Sequence, residues 1–520
     1  MLRGILTVGG WTMASRVLGL AREMLIAALL GTGPVADAFF VALKLPNLFR
    51  RLFGEGAFNA AFVPSFAGLL AVEGPAAARR FAEEAMSVLA FWLAALTIAG
   101  EIFMPQLMLV LAPGFSADPA KFALTVTLSR ITFPYLFLIC LAALYSGVLN
   151  GLDRFAAATA SYVLFNLVSI LFMLTLTPYL PTAGHALAWG VTASGVAQLG
   201  LLAWAASRAG MGLRLPRPRL TPQMRVLMRR MAPGLVGAGV TQINFAVDVI
   251  IMSLLPAGSV ALLNYADRVN QLPLGVIGAA VGTALLPLLS RQVRAGEAGA
   301  AAETMNRALE YALFLTLPAA LALLVVPGPI MAVLFERGAF GPESVRLSAQ
   351  CLAAYAVGLP AFVTVKVLSP GFFARGDTAT PVKISFCIIA LNLALNLAFM
   401  VPLRHMGPAL ASSVAATVNV GWLGAILRRR GQLRIDARAR ARLPRMLTAA
   451  CAMAAALWVA RFALYAPLDA GHGLRWIGLG LLIGTGLLAY AATGQALGAF
   501  DVRDFAAGLR RRRAAPLKTG

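Results

Sequence analysis

Trp11-Thr-Met-Ala-Ser15-Arg16-Val-Leu-Gly19-Leu-Ala-Arg22-Glu23-Met-Leu-Ile-Ala-Ala-Leu-Leu30 decides the fold, because it is an apolar run of membrane length with three charges inside it. A helix needs about 20 mostly apolar residues to cross a bilayer. The stretch near residues 4–30 meets that length, and similar stretches recur from there to about residue 498. Of the 520 residues, 60% are hydrophobic and only 12% charged, with a mean hydropathy of +0.80. That leaves too little polar surface to cover a water-soluble globule. With Arg16, Arg22 and Glu23 in its interior and no small-residue cleavage site, the first stretch reads as mature structure and not as a signal peptide.

Hydropathy predicts an all-α polytopic membrane protein of about fourteen transmembrane helices. The net charge of +23 is explained by where the 44 Lys and Arg fall. With the N-terminus placed in the cytoplasm, 30 of them lie on the cytoplasmic side and 6 on the other. The positive-inside rule therefore places both termini on the cytoplasmic side of the membrane. The basic excess is accounted for by topology and by attraction to anionic membrane lipids, so no nucleic-acid partner is expected. Cys140, Cys351, Cys387 and Cys451 show no paired spacing, and His185, His405 and His472 lie far apart. Neither set predicts a disulfide, a structural metal or a catalytic cluster.

Landmarks of the first half recur in the second. Pro46 matches Pro273, Pro64 matches Pro287, Pro134 matches Pro360, Asp153 matches Asp377 and Asn166 matches Asn392, at offsets of 223–227. Six spans separate the copies, so both enter the membrane from the same side, which predicts two pseudo-symmetric six-helix lobes. The expected division is a first lobe at 1–210, a basic cytoplasmic linker at 211–222, a second lobe at 223–430, and two additional helices with a basic tail at 431–520.

Eight basic residues fall inside spans: Arg16, Arg22, Lys44, Arg50, Arg51, Arg130, Arg268 and Lys366. An arginine at the bilayer centre costs about 2.5–3.5 kcal/mol even on a lenient scale, so these should face protein, water or substrate. Arginines converging on a cavity with too few carboxylates make an anion site, and guanidinium forks suit the oxygens of a diphosphate. The plainer alternative is structural pairing of Arg16 with Asp37, Arg22 with Glu23 or Glu55, and Arg268 with Asp267. Arg51 and Lys44 also have the option of reaching headgroups by extending their stems. Ser15, Lys44, Arg51 and Glu55 are cavity or gate candidates, the last lying among the interruptions Pro46, Gly54 and Gly56.

The repeat carries one asymmetry. Arg22 plus 226 falls on Asp248, an acid where the first copy has a cation. An isolated carboxylate in an apolar span must protonate, pair or hold a cation. Asn392 and Asn396, spaced i and i+4, offer neutral oxygens for a coupling-ion site, or simply hydrogen bonds between helices.

The block from Ser15 to Glu23, followed by Asp37-Ala-Phe-Phe-Val-Ala-Leu-Lys44-Leu-Pro46-Asn47-Leu-Phe-Arg50-Arg51-Leu-Phe-Gly-Glu55, closely resembles the MurJ (MviN) lipid II flippase family. So do Tyr265-Ala-Asp267-Arg268 and Val365-Lys366-Val-Leu-Ser-Pro370. That family lies in the multidrug/oligosaccharidyl-lipid/polysaccharide exporter superfamily. The resemblance implies two six-helix lobes, a C-terminal helix pair forming a groove for the undecaprenyl tail, and export of lipid II for peptidoglycan synthesis by alternating access. It maps headgroup-binding roles onto Arg16, Arg22, Arg50, Arg268 and Asp37, and a sodium site onto Asp248 with Asn392 and Asn396. No cofactor is implied beyond sodium or proton coupling and the membrane potential. The expected partners are lipid II, membrane lipids and proteins of cell-wall synthesis, around a monomeric transport unit. The rival functions are export of another polyprenyl-linked glycan or ion-coupled export of drugs. A membrane enzyme is not expected, since no acidic metal-binding motif is present.

Overall fold

The computed structural model describes residues 2–51, 57–469 and 474–500, and among these there are helices and no strands. In lipid the helix is the economical answer, because each backbone polar group is satisfied within its own segment. The first compact unit holds residues 1–261 with 337–341. Its helices are α1 (Leu2–Leu30), α2 (Pro34–Phe49), α3 (Ala57–Val72), α4 (Pro75–Ile102), α5 (Met104–Leu111), α6 (Pro119–Thr132), α7 (Tyr135–Gly151), α8 (Phe155–Leu176), α9 (Ala183–Arg208) and α10 (Pro222–Ser253). The second unit holds 262–336 and 342–520. It contains most of α11 (Ser259–Arg294), then α12 (Ala298–Val325), α13 (Pro327–Phe335), α14 (Pro342–Phe373), α15 (Ala379–Phe399), α16 (Gly407–Arg429), α17 (Ala437–Ala460), α18 (Ala466–Asp469) and α19 (Arg475–Ala496).

Ten helical stretches among the described residues are long and apolar enough to cross a membrane. Long α1, α10 and α11 fall outside that set and carry charges within them: Arg16 and Arg22, Asp248, and Asp267 with Arg268. The boundaries follow from local chemistry. Proline, which lacks an N–H, opens α2, α4, α6, α10, α13 and α14, where that N–H would have no helical partner. Asp118 accepts the amides of Ala120 and Lys121 to cap α6, and Asp436 accepts that of Ala439 to cap α17.

Inside unit one, stacked Phe58, Phe62, Phe66 and Phe81 pack where Gly147 and Gly151 of α7 leave room for the rings. Close approach at small residues is how helices associate when lipid is as apolar as the interior. The neighbours α8 and α9 pack together, α1 lies on α8, and α10 lies on α3 and α5. In unit two, Met305 of α12, Val363, Val367 and Phe372 of α14 and Leu427 of α16 form one core. A second core joins α17 and α19 through Met453, Leu457, Leu482 and Tyr490, with Phe314 and Leu321 of α12 against it. That attachment is also ionic. Glu310, 4% exposed, meets Arg307, with Arg438 and Arg442 at 3.5 and 3.8 Å, and Arg307 also reaches Asp436. Phe91, Trp92, Ile98, Ile102, Leu171 and Leu488 face outward, as a surface in contact with lipid requires.

Candidate functional site

α1 runs unbroken through Gly19, whose bare flank faces Asn166 of α8. Asn166 donates to the carbonyl of Ser15 at 3.1 Å, which fixes the height of α1 against α8. Arg16, one residue on, is exposed and makes no ion pair among the described residues. Arg22 lies on the inner part of the helix with its side chain 13% exposed, pairs with Glu23 at 3.0 Å and stands over the Phe165 ring at 4.9 Å. Its Nε is buried and has no hydrogen-bond partner. Of the pairings offered by the sequence, Arg22 with Glu23 is formed and Arg16 with Asp37 is not.

Arg50 and Arg51 lie in a wider turn that ends α2. Arg50 donates to Asn47 Oδ1 at 3.2 Å, and Arg51 stands over the ring of Phe245 on α10 at 4.8 Å. The contact over an aromatic face gives Arg51 a partner inside the protein. Lys44 is half-buried on α2 and also has a partner. Glu55 lies outside the described residues. In unit two, Arg268 is exposed on α11, and its neighbour Asp267 accepts a hydrogen bond from Gln271 one turn on.

Asp37 sits elsewhere, at 1% exposure in the first turns of α2. Its Oδ2 accepts Lys121 Nζ at 2.7 Å and the Gly258 amide at 2.7 Å, and its Oδ1 accepts the Ala261 amide at 2.9 Å. Gly258 and Ala261 bracket the start of α11, where unpaired amides and the positive end of the helix dipole attract a carboxylate. Lys121 is 7% exposed at the start of α6, its ammonium 3.9 Å from the Phe115 ring centroid. Its partner is 84 positions away, so no local pattern revealed it.

The same corner is sealed by backbone. Gly258 has φ +92°, and a Cβ there would lie 2.3 Å from the Thr32 carbonyl oxygen; at Gly31, φ +60°, it would lie 2.4 Å from that of Ala339. Only glycine combines this conformation with this approach. Ala339 in turn donates to the Ala28 carbonyl at 2.8 Å. Thus Gly258 and Ala261 are held to α2 and, through Asp37 and Lys121, to α6, while 337–341 are pinned to the end of α1 and to Gly31. This latch was not legible in the sequence.

The cation-site candidates divide between the units. Asp248 is half-buried on α10 and has a partner. Asn392 and Asn396 are buried on α15, where Asn396 Nδ2 donates to the carbonyl and Oδ1 of Asn392 at 2.9 and 3.1 Å. Asn396 Oδ1 is buried without a partner, an acceptor left over in an apolar helix bundle.

The family model described as "Lipid II flippase MurJ" matches residues 26–470. A probable lipid II flippase MurJ of Rhizobium meliloti (strain 1021) is 46% identical over 505 residues, covering 96% of this chain and 94% of the relative. One from Rhizobium tropici is 42% identical, covering 99% and 98%. A lipid II flippase MurJ of Burkholderia cenocepacia is 36% identical, covering 83% and 84%. Among solved structures, a lipid II flippase MurJ in an inward closed conformation matches with TM-score 0.79 at 24% identity, covering 94% of this chain and 98% of that one. An inward-facing MATE family transporter of the MOP superfamily matches with TM-score 0.67 at 14% identity, covering 82% and 99%. At these identities the structural likenesses speak for the fold.

Proposed function

Because the chain belongs to the MurJ family of lipid II flippases, we propose that it carries lipid II from the inner to the outer leaflet of the bacterial inner membrane by alternating access. Its membrane-length helices make it a multi-pass membrane protein. In this reading both termini are cytoplasmic, on the strength of the 30-to-6 distribution of Lys and Arg. The transport unit is a monomer, and the chain performs no covalent step.

The observation that carries the assignment is the unspent donor capacity on α1. Arg16 has no acidic partner among the described residues, and Arg22 keeps a buried Nε–H unmatched beside a single carboxylate. A buried donor without a partner costs about 1–3 kcal/mol, and a diphosphate oxygen would relieve it. We assign Arg16, Arg22, Arg50 and Arg268 to the headgroup phosphates, and the first two as the primary pair. Asp37 acts at the latch, as the acceptor whose release frees the starts of α6 and α11. For coupling we propose sodium or a proton, with Asp248 of the first unit and Asn392 and Asn396 of the second as the candidate residues, the buried and unpartnered Asn396 Oδ1 being the observation that supports it.

The test is depletion with complementation, following translocation of labelled lipid II. Arg22→Ala removes charge-assisted hydrogen bonds to the phosphates and should slow translocation by about tenfold or more. Wild-type rates from a well-expressed variant would overturn the anion-site assignment.

A further inference from the structure

Between the first turns of α4 and the linker that follows α9 lies a cavity of about 390 Å³, lined by Pro75, Arg79, Arg80, Glu83, Gly210 and Arg214. Its walls are held rather than draped. Glu83 Oε1 accepts both Arg79 Nε and the Arg214 amide at 3.0 Å, and farther along the linker Thr221 Oγ1 donates to Glu84 Oε2 at 2.8 Å. The lone carboxylate of the cavity is therefore spent on Arg79 and on a backbone amide. The guanidinium groups of Arg80 and Arg214 have no acidic partner among the described residues, so the cavity holds two uncompensated positive charges.

Exposed apolar side chains flank Gly210 and Arg214 along the chain: Trp204, 58% exposed on the last turns of α9, carries Arg208 over its ring at 5.2 Å, and the linker exposes Leu215 and Leu220. Tryptophan with a neighbouring arginine is the usual furnishing of a membrane interface, the ring at headgroup level and the cation toward phosphate. A ligand for this place needs a phosphate to meet two guanidinium forks and a tail that accepts apolar neighbours. We propose that the cavity binds the phosphate headgroup of an anionic phospholipid of the leaflet on the basic side of the membrane. The site tethers the linker and the start of α4 to that leaflet, and it stands independently of the substrate assigned above.

The experiment uses the detergent-solubilised full chain and native mass spectrometry, with phosphatidylglycerol, phosphatidylcholine and inorganic phosphate added separately. Phosphatidylglycerol should be retained over phosphatidylcholine, and Arg80→Gln with Arg214→Gln should weaken its retention about tenfold, the loss of charge-assisted hydrogen bonds. The paired control Arg217→Gln with Arg219→Gln removes equal charge from the same linker outside the cavity and should leave retention unchanged. Arg80→Lys with Arg214→Lys should preserve most of the binding, which separates loss of charge from loss of fold. Equal weakening by the control pair would overturn the site in favour of diffuse surface charge. Inorganic phosphate displacing phosphatidylglycerol at equal concentration would overturn the lipid in favour of a soluble anion.

Discussion

A lysine ammonium taken almost wholly out of water, as Lys121 is, persists only if something nearby replaces its hydration. Asp37 does so at 2.7 Å and is itself stabilised by two backbone amides at the start of α11. The arrangement predicts strong coupling. Asp37→Asn leaves the ammonium buried and unpaired and should destabilise the fold by about 3–5 kcal/mol. Lys121→Met leaves Asp37 its two amides and should cost less. The double variant removes both charges and should cost clearly less than the sum, a non-additivity read from thermal melts of the detergent-solubilised protein. Strict additivity would show that the two residues do not act as a pair. The sequence offered Arg16 as a structural partner for Asp37, and the structure pairs Asp37 with Lys121 instead. Spacing along one chain says which groups need partners, while the choice among distant partners is made by packing.

At the scale of elements, the chemistry that starts a helix is local and was there to be read at Asp118-Pro119, Thr221-Pro222 and Asp436. What joins one element to another was not. Asp377 shows the difference: its place in the repeat, 224 residues after Asp153, is plain from spacing. Its contacts are with Arg430, which sequence had counted only as one of the cytoplasmic cations. Arg430 donates to Asp377 Oδ2 at 2.6 Å and to Thr380 Oγ1 at 3.2 Å, and Asp377 Oδ1 accepts the Thr380 amide at 2.9 Å. The start of α15 is thereby tied to the end of α16. The Arg430 hydrogen bond, with the Thr380 amide after it, pulls the Asp377 carboxyl from its ordinary 3.8 to about 2. Since the folded value is depressed, the stabilisation is fully present above 3.8 and is lost as pH falls from there through about 2. Asp377→Asn should therefore lower the melting temperature equally at pH 7 and pH 5, with the gap from wild type narrowing only below pH 4. A gap that closes between pH 7 and pH 5 would assign the effect to another group.

At the scale of the whole molecule, hydropathy made the helical architecture legible, and the proline landmarks, written at regular spacing, are the sequence evidence for a duplication. The duplication is unequal where charge matters. Asp37 corresponds to Ala261 at an offset of 224, so one copy supplies the carboxylate and the other an amide that it accepts. Arg22 corresponds in the same way to Asp248, an acid on α10, the helix that packs on α3 and α5. If the α1 arginines hold an anionic headgroup, a negative-inside potential favours its outward movement by about 2.3 kcal/mol per elementary charge per 100 mV. The empty carrier must then return, and in the proposed coupling a cation binds at Asp248 on that return step. The two steps respond differently to substitution. In vesicles with an imposed potential, Asp248→Ala should leave lipid II binding intact while abolishing the dependence of turnover on sodium or on pH, whichever the wild type shows. Arg22→Ala should do the reverse, weakening binding while leaving the ion dependence of the residual turnover. Unchanged ion and potential dependence in Asp248→Ala would remove that residue from the coupling step and leave the potential acting on the headgroup alone.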